Sequence, residues 1–176
     1  MPSPQTLDEP DRRLVAGWAA DCAERVLAVF EAEAPDEPRA RDGVERARRF
    51  ARGELDAASQ IRDRFIAGRA AQAAASPAGK AAARAAGQAS GVAHMGAHAL
   101  GAAAFAALAA ELAAPGRGGR DESIWQLAHM SEPVQAALRR LPLLGEDRSG
   151  PLGPGLLASG ALGAHIERIQ AALAQR

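Results

Sequence analysis

His94 and His98 stand four residues apart in the stretch KAAARAAGQASGVAHMGAHALGAAAFAALAAEL, Lys80 to Leu112. On a single helix that spacing turns both imidazoles to the same side, as in helix-borne zinc and iron sites. Met95, Gly96 and Ala97 lie between them, so no glutamate is placed to act as a base. A third ligand for a divalent metal, Zn or Fe, would come from elsewhere in the chain, with His129, Asp21 and Glu24 as candidates. Histidines bonded to a backbone carbonyl or a carboxylate produce the same pattern. Structural or interface histidines are the leading reading, with no cofactor required, and a metal-dependent helical-bundle enzyme is the alternative.

Other catalytic patterns are weaker. Gly79-Lys80 lacks the first glycine of a phosphate loop, since position 74 is Ala74, and Ala81 replaces the Ser/Thr after the lysine. No strand precedes the glycines around Gly153–Gly163, which argues against dinucleotide binding. Cys22 is the only cysteine. It forms no intramolecular disulfide and falls on an apolar stripe, where inert burial is its expected fate. Trp18 and Trp125 read as core anchors.

The elements that would carry these residues are helical throughout. Apolar residues make up 48% of the 176, aromatics only 3%, and tyrosine is absent. A core of such small side chains demands closely packed helices. Alanine favours the central run, while Gly87, Gly91, Gly96 and Gly101 each cost about 1 kcal/mol against it. They are tolerable where neighbours press on the backbone. The run is therefore expected as a long, buried central helix, kinked near Gly96. Gly87 and Gly91 match a membrane-helix packing spacing, but Lys80, Arg84, Gln88 and both histidines interrupt the segment, so no membrane span is expected.

Residues 1–10 are polar and Pro-rich, expected as a disordered leader without the apolar core of a signal peptide. A first helix is predicted from Asp11 to about Ala34, with Leu14, Val15, Trp18, Cys22, Val26 and Val29 on one stripe. Arg25 projects near that stripe and needs a partner, Asp21 being the nearest in sequence. A second helix to about Arg52 carries Arg39, Arg41, Arg46, Arg48, Arg49 and Arg52. Asp42 and Glu45 lie among them and no aromatics interleave, which reads as a solvated, ion-paired face. A third is predicted over Glu54–Ala75 with Leu55, Ala58, Ile61, Phe65 and Ile66 inward. Ser76-Pro77 marks the start of the central helix and Pro115–Gly119 its end. Two shorter helices follow, about Glu122–His129 and from the Ser131-Glu132-Pro133 cap to Leu141. Residues 142–155 read as a Pro/Gly-rich linker, and 156–176 as an amphipathic helix with Leu162, Ile166, Ile169 and Leu173 on one stripe. That helix would dock on its own domain or form a homodimer.

The expectation is an all-α, single-domain helical bundle covering 11–141. Lys plus Arg and Asp plus Glu are 21 each, for zero net charge, which argues against general affinity for nucleic acid. The expected location is cytoplasmic.

Three stretches carry a resemblance: Trp18–Glu54, Ala82–Ala109 with its histidine motif, and WQLAHMSEPVQAAL (Trp125–Leu138). Over about residues 10–141 the chain resembles the Imm-5-like immunity proteins found in actinobacteria and other bacteria. The resemblance implies a small helical protein that protects a cell from a polymorphic toxin by binding and occluding it. It implies no catalytic residues. Asp21, Glu24, His94 and His98 match the family's polar signature, and with Arg25 they form the expected polar cluster or interface.

Overall fold

The computed structural model describes residues 3–63 and 66–175. Among them are nine α-helices and no strand, so the chain is all-α. α1 (Glu9–Glu31), α2 (Arg39–Ala51), α3 (Ala57–Asp63) and α4 (Ile66–Arg69) precede the Ala/Gly-rich run, which forms α5 (Pro77–Gly91) and α6 (His98–Ala113). α7 (Gly118–Ala128), α8 (Glu132–Leu138) and α9 (Gly160–Ala174) complete the fold.

The central run is the hub of the fold, but it is a hairpin rather than one long helix. α5 and α6 make the most extensive helix–helix contact in the molecule, and α1 packs against both. Cross-contacts recede from the turn in equal steps: Gly91 against the His98 ring, Gln88 against Gly101, and Arg84 over Phe105. That register is antiparallel. The fold-back occurs at 92–97, where the expected kink near Gly96 becomes a complete break. α6 starts without a side-chain cap at Ala97; the amides of His98, Ala99 and Leu100 bond to the turn carbonyls of Met95, Gly96 and Ala97, and the turn's own amides need acceptors outside it. The amides of Gly96 and Ala97 find them in the carbonyls of Thr6 and Gln5, at 3.0 Å each. A Cβ on Gly96 would come within 2.5 Å of the Leu7 side chain, so a larger residue there would force Leu7 to shift.

Residues 3–10 of the leader are thus part of the fold, in correction of their expected disorder. Pro4–Thr6 form a 3-10 turn, and Gln5 is fully buried. Gln5 Nε2 donates to Asp147 Oδ2 and to the Ser149 carbonyl, both at 2.7 Å, while Gln5 Oε1 accepts from the Leu152 amide at 2.9 Å. One side chain ties the amino-terminal turn to the segment read as a linker. That segment packs with its buried Leu152, and Gln170 of α9 bonds to both the Pro142 carbonyl and the Leu144 amide. Leu162, Ile166, Ile169 and Leu173 are all buried, and α9 packs on α6 and α7 of its own chain.

Local signals located most boundaries. Ser76 caps α5 by accepting from the Gly79 amide at 2.9 Å, and Ser131 caps α8. Asp8 caps α1, which begins two residues before the expected start. Of the predicted third helix, the described residues form α3 and α4 on either side of 64–65, and its end is a 3-10 turn, Ala70–Ala73. Its buried side is Ala67, Ala70 and Ala71, while Ile66 and Ala58 are exposed, against expectation. The reason is close backbone packing: a Cβ on Gly87 of α5 would lie 2.8 Å from the Gly68 Cα, and small residues permit that approach. Phe65 and the Ile61 side chain lie outside the described residues. On α1, Val15, Trp18, Cys22 and Val26 are buried as predicted, but Leu14 is 41% exposed.

Candidate functional site

Two concavities hold the chemistry-bearing side chains. The first lies along the α5–α6 hairpin and has a volume of about 740 Å³. Arg84, Gly87, Gln88 and Gly91 recur at helical spacing on α5 and line one wall, with His98 and Phe105 of α6 opposite. His94 also lines this cavity, but from the inter-helix turn. The histidines therefore share a cavity without forming the expected pair on one helix face, because the fold-back separates them. His98 Nδ1 lies 2.8 Å from Gln88 Oε1, a bond across the hairpin. α4 closes one side with Gly68 and Arg69, and the tail closes another with Gly150, Pro151 and Leu156.

The second concavity, about 690 Å³, runs between α6, α7 and α9. Its walls are apolar, including Leu108, Leu127, Ala161 and the 57%-exposed Ile124. Arg120 and Arg168 stand at its edge, and Glu111 is committed to the loop before α7, accepting from the Gly116 and Gly119 amides at 2.6 and 3.0 Å. Those amide bonds hold the Glu111 carboxyl below its usual range. At the base of the groove, His165 Nε2 lies 2.8 Å from Gln126 Oε1, and His165 Nδ1 lies 3.2 Å from Ser123 Oγ. Gln126 Nε2 already donates to the Ala103 carbonyl and Glu122 Oε1. Its oxygen must then face His165, so the histidine carries its proton on Nε2 and presents Nδ1 as an acceptor.

Ser123 and His165 superficially form a nucleophile–base pair. Both are buried, however, and Ser123 directs its single hydroxyl proton at the Gly119 carbonyl one turn back at 2.8 Å, so the donor facing His165 Nδ1 is Arg168 Nη1, 3.4 Å from both Nδ1 and Ser123 Oγ. That disposition makes the trio a latch between α7 and α9. Burial, and secondarily the neighbouring Arg168, push the His165 pKa down to about 4. The unfolded value is about 6.5, so between these limits the unfolded chain binds the extra proton. Stability should therefore fall as pH drops from about 6.5 to about 4, by roughly 2–3 kcal/mol, with no contribution above that window. Urea titrations of wild type and His165→Gln across this range test it: the variant should lose that component of the slope, and equal slopes would sink the assignment.

The remaining signature residues are distributed elsewhere. Asp21 and Glu24 pair with Arg48 at 3.1 Å each, and Glu24 also meets Arg41 at 3.3 Å. Arg41 lies 2.6 Å from Glu31, and Arg52 bridges Glu45 and Glu54. The arginine-dense α2 is thus laced to acids, as its composition predicts. Arg25 does not use Asp21. Its Nε donates to Glu122 Oε2 of α7 at 2.8 Å, and its guanidinium sits 4.1 Å from the centre of the Trp125 ring. His129 stacks on the same ring at 4.1 Å, with Nδ1 2.8 Å from the Trp125 carbonyl. Trp18 Nε1 donates to the Gln126 carbonyl at 3.2 Å. Cys22 is fully buried, and burial followed by Glu122 pushes its thiol pKa up.

Among the described residues no three His, Cys, Asp or Glu side chains gather as a metal-holding group. No helix among them is long and apolar enough to cross a membrane. The reading from sequence missed Gln5, Glu122, Gln126 and the Ser123–His165 pair. The one available signal was His165 in the middle of an apolar stripe, which called for a polar partner.

The family model described as Imm-5 like putative immunity protein matches residues 5–133. No curated protein and no solved structure matches the chain.

Proposed function

The chain belongs to the Imm-5 like putative immunity protein family, and on that premise we propose that it works in the cytoplasm by binding, docking onto a toxin protein and covering its active or docking surface. The observation that carries this reading is the groove between α6, α7 and α9. It is apolar, preformed and edged by arginines, with Ile124 more than half exposed at its lip. Interfaces draw most of their affinity from a few apolar or arginine anchors inside a polar rim. Among the described residues Arg120 makes no ion pair, and Glu111 is occupied by backbone amides. The charge facing a partner here is positive. The complementary surface is an acidic segment of the toxin carrying an apolar side chain that enters the groove.

Co-expression with a toxin encoded beside this gene tests the proposal. Ile124→Asp combined with Arg120→Glu alters only exposed side chains, so melting should stay unchanged. Protection should be lost, with affinity for the toxin weakened about 30-fold or more. Protection that survives this double variant and fails instead with charge reversal at Arg41 would place the interface on α2 and overturn the groove assignment.

A further inference from the structure

The cavity along the α5–α6 hairpin plays no part in the docking proposal, and its chemistry points to another kind of ligand. Among the described residues Arg69 and Arg84 line it, no carboxylate does, and neither arginine pairs with an acid. Two guanidinium groups facing one concavity, with no compensating charge among the described residues, concentrate positive potential there. The rest of the lining is mixed. Phe105, Met95 and Leu156 are apolar, while the bonded Gln88 and His98 present polar edges. The Arg84 guanidinium sits 5.9 Å from the centre of the Phe105 ring; Phe105 itself is 2% exposed and backs the cavity, whose open apolar wall is Met95 and the 60%-exposed Leu156. The volume of about 740 Å³ falls within the range that small-molecule sites occupy.

The cavity is also preformed. The antiparallel register of α5 and α6 sets Arg84 beside Phe105 and Gln88 beside His98. The close approach of Gly68 to Gly87 holds α4, and with it Arg69, against the same hairpin.

We propose that this cavity binds a small aromatic anion, its carboxylate or phosphate held by Arg69 and Arg84 and its planar body lying toward Met95 and Leu156. Guanidinium groups bind both head groups through paired hydrogen bonds, so the head group is left to experiment. The body is set by the apolar wall. This site is independent of toxin docking, since it shares no residue with the α6–α7–α9 groove.

Thermal melting and calorimetric titration of the full chain test it, with adenosine monophosphate, indole-3-acetate, adenosine and inorganic phosphate as probes. At about 1 mM, at least one aromatic anion should raise the melting temperature by several degrees, while adenosine and inorganic phosphate should not. The responding anion identifies the head group. Arg69→Glu with Arg84→Glu, both exposed positions, should weaken that binding at least about tenfold. Arg120→Glu, in the other groove, should leave it unchanged. The assignment is overturned if neither aromatic anion binds, or if adenosine or inorganic phosphate does as well. Binding that survives the double charge reversal also overturns it.

Discussion

Arg25→Met is expected to lower the unfolding free energy by about 3–4 kcal/mol at pH 7. Glu122 is only 4% exposed, and its Oε2 accepts from Arg25 Nε at 2.8 Å. Removing the guanidinium leaves a buried carboxylate with only the Gln126 amide, at 3.3 Å, to offset its desolvation. The loss sits at the lower end of what buried pairs show, because the Arg25 side chain is 37% exposed and partly hydrated. Adding Glu122→Gln to Arg25→Met should recover much of the loss, since a neutral amide costs far less to bury than an unpaired charge. Urea denaturation of the two singles and the double gives the coupling. A loss under about 1 kcal/mol in Arg25→Met would show that the pair behaves as a surface ion pair.

Gln5→Ala should cost a similar amount, about 3–4 kcal/mol, although it lies four residues inside the polar leader. The substitution removes three hydrogen bonds from a fully buried side chain. It leaves the Leu152 amide without its acceptor, at about 1–3 kcal/mol for a buried donor. The effect should also spread. Gly96 and Ala97 donate to the Thr6 and Gln5 carbonyls, so amide exchange at the inter-helix turn should accelerate together with exchange at Leu152. If exchange rises at Gly96 and Ala97 while Leu152 stays protected, Gln5 does not couple the leader to the tail.

Both substitutions act at contacts that left no trace in local sequence. Arg25 was expected to use Asp21, four residues away, yet its partner is 97 residues distant. Helical spacing brings Asp21 within reach, but α2 delivers Arg48 to Asp21 and α7 delivers Glu122 to Arg25. Gln5 bonds across more than 140 residues. A short polar segment shows no periodicity, and only a surface prepared by other elements gives it a place to fold. The histidines show the same limit. Their spacing in sequence was plain, but the four-residue rule assumes an unbroken helix, and the turn at 92–97 removes that assumption.

What the sequence determined by itself is what short-range physics controls. Alanine and the absence of β-patterning made the chain helical, Ser76 and Ser131 marked helix starts, and the apolar stripes named Val15, Trp18, Cys22 and Val26 of the buried side of α1 and Leu162, Ile166, Ile169 and Leu173 of that of α9. Its motifs were also enough to identify the family. The tertiary structure alone decided where the Ala/Gly run folds back and which distant carbonyls accept from the amides of its turn. It also decided which acid neutralises Arg25, and that His165 rather than His94 or His98 lies buried in a polar trio. Helix propensity and capping are set within a turn or two of chain. The pairing of buried polar groups is settled only when distant helices close on one another and each donor must find an acceptor.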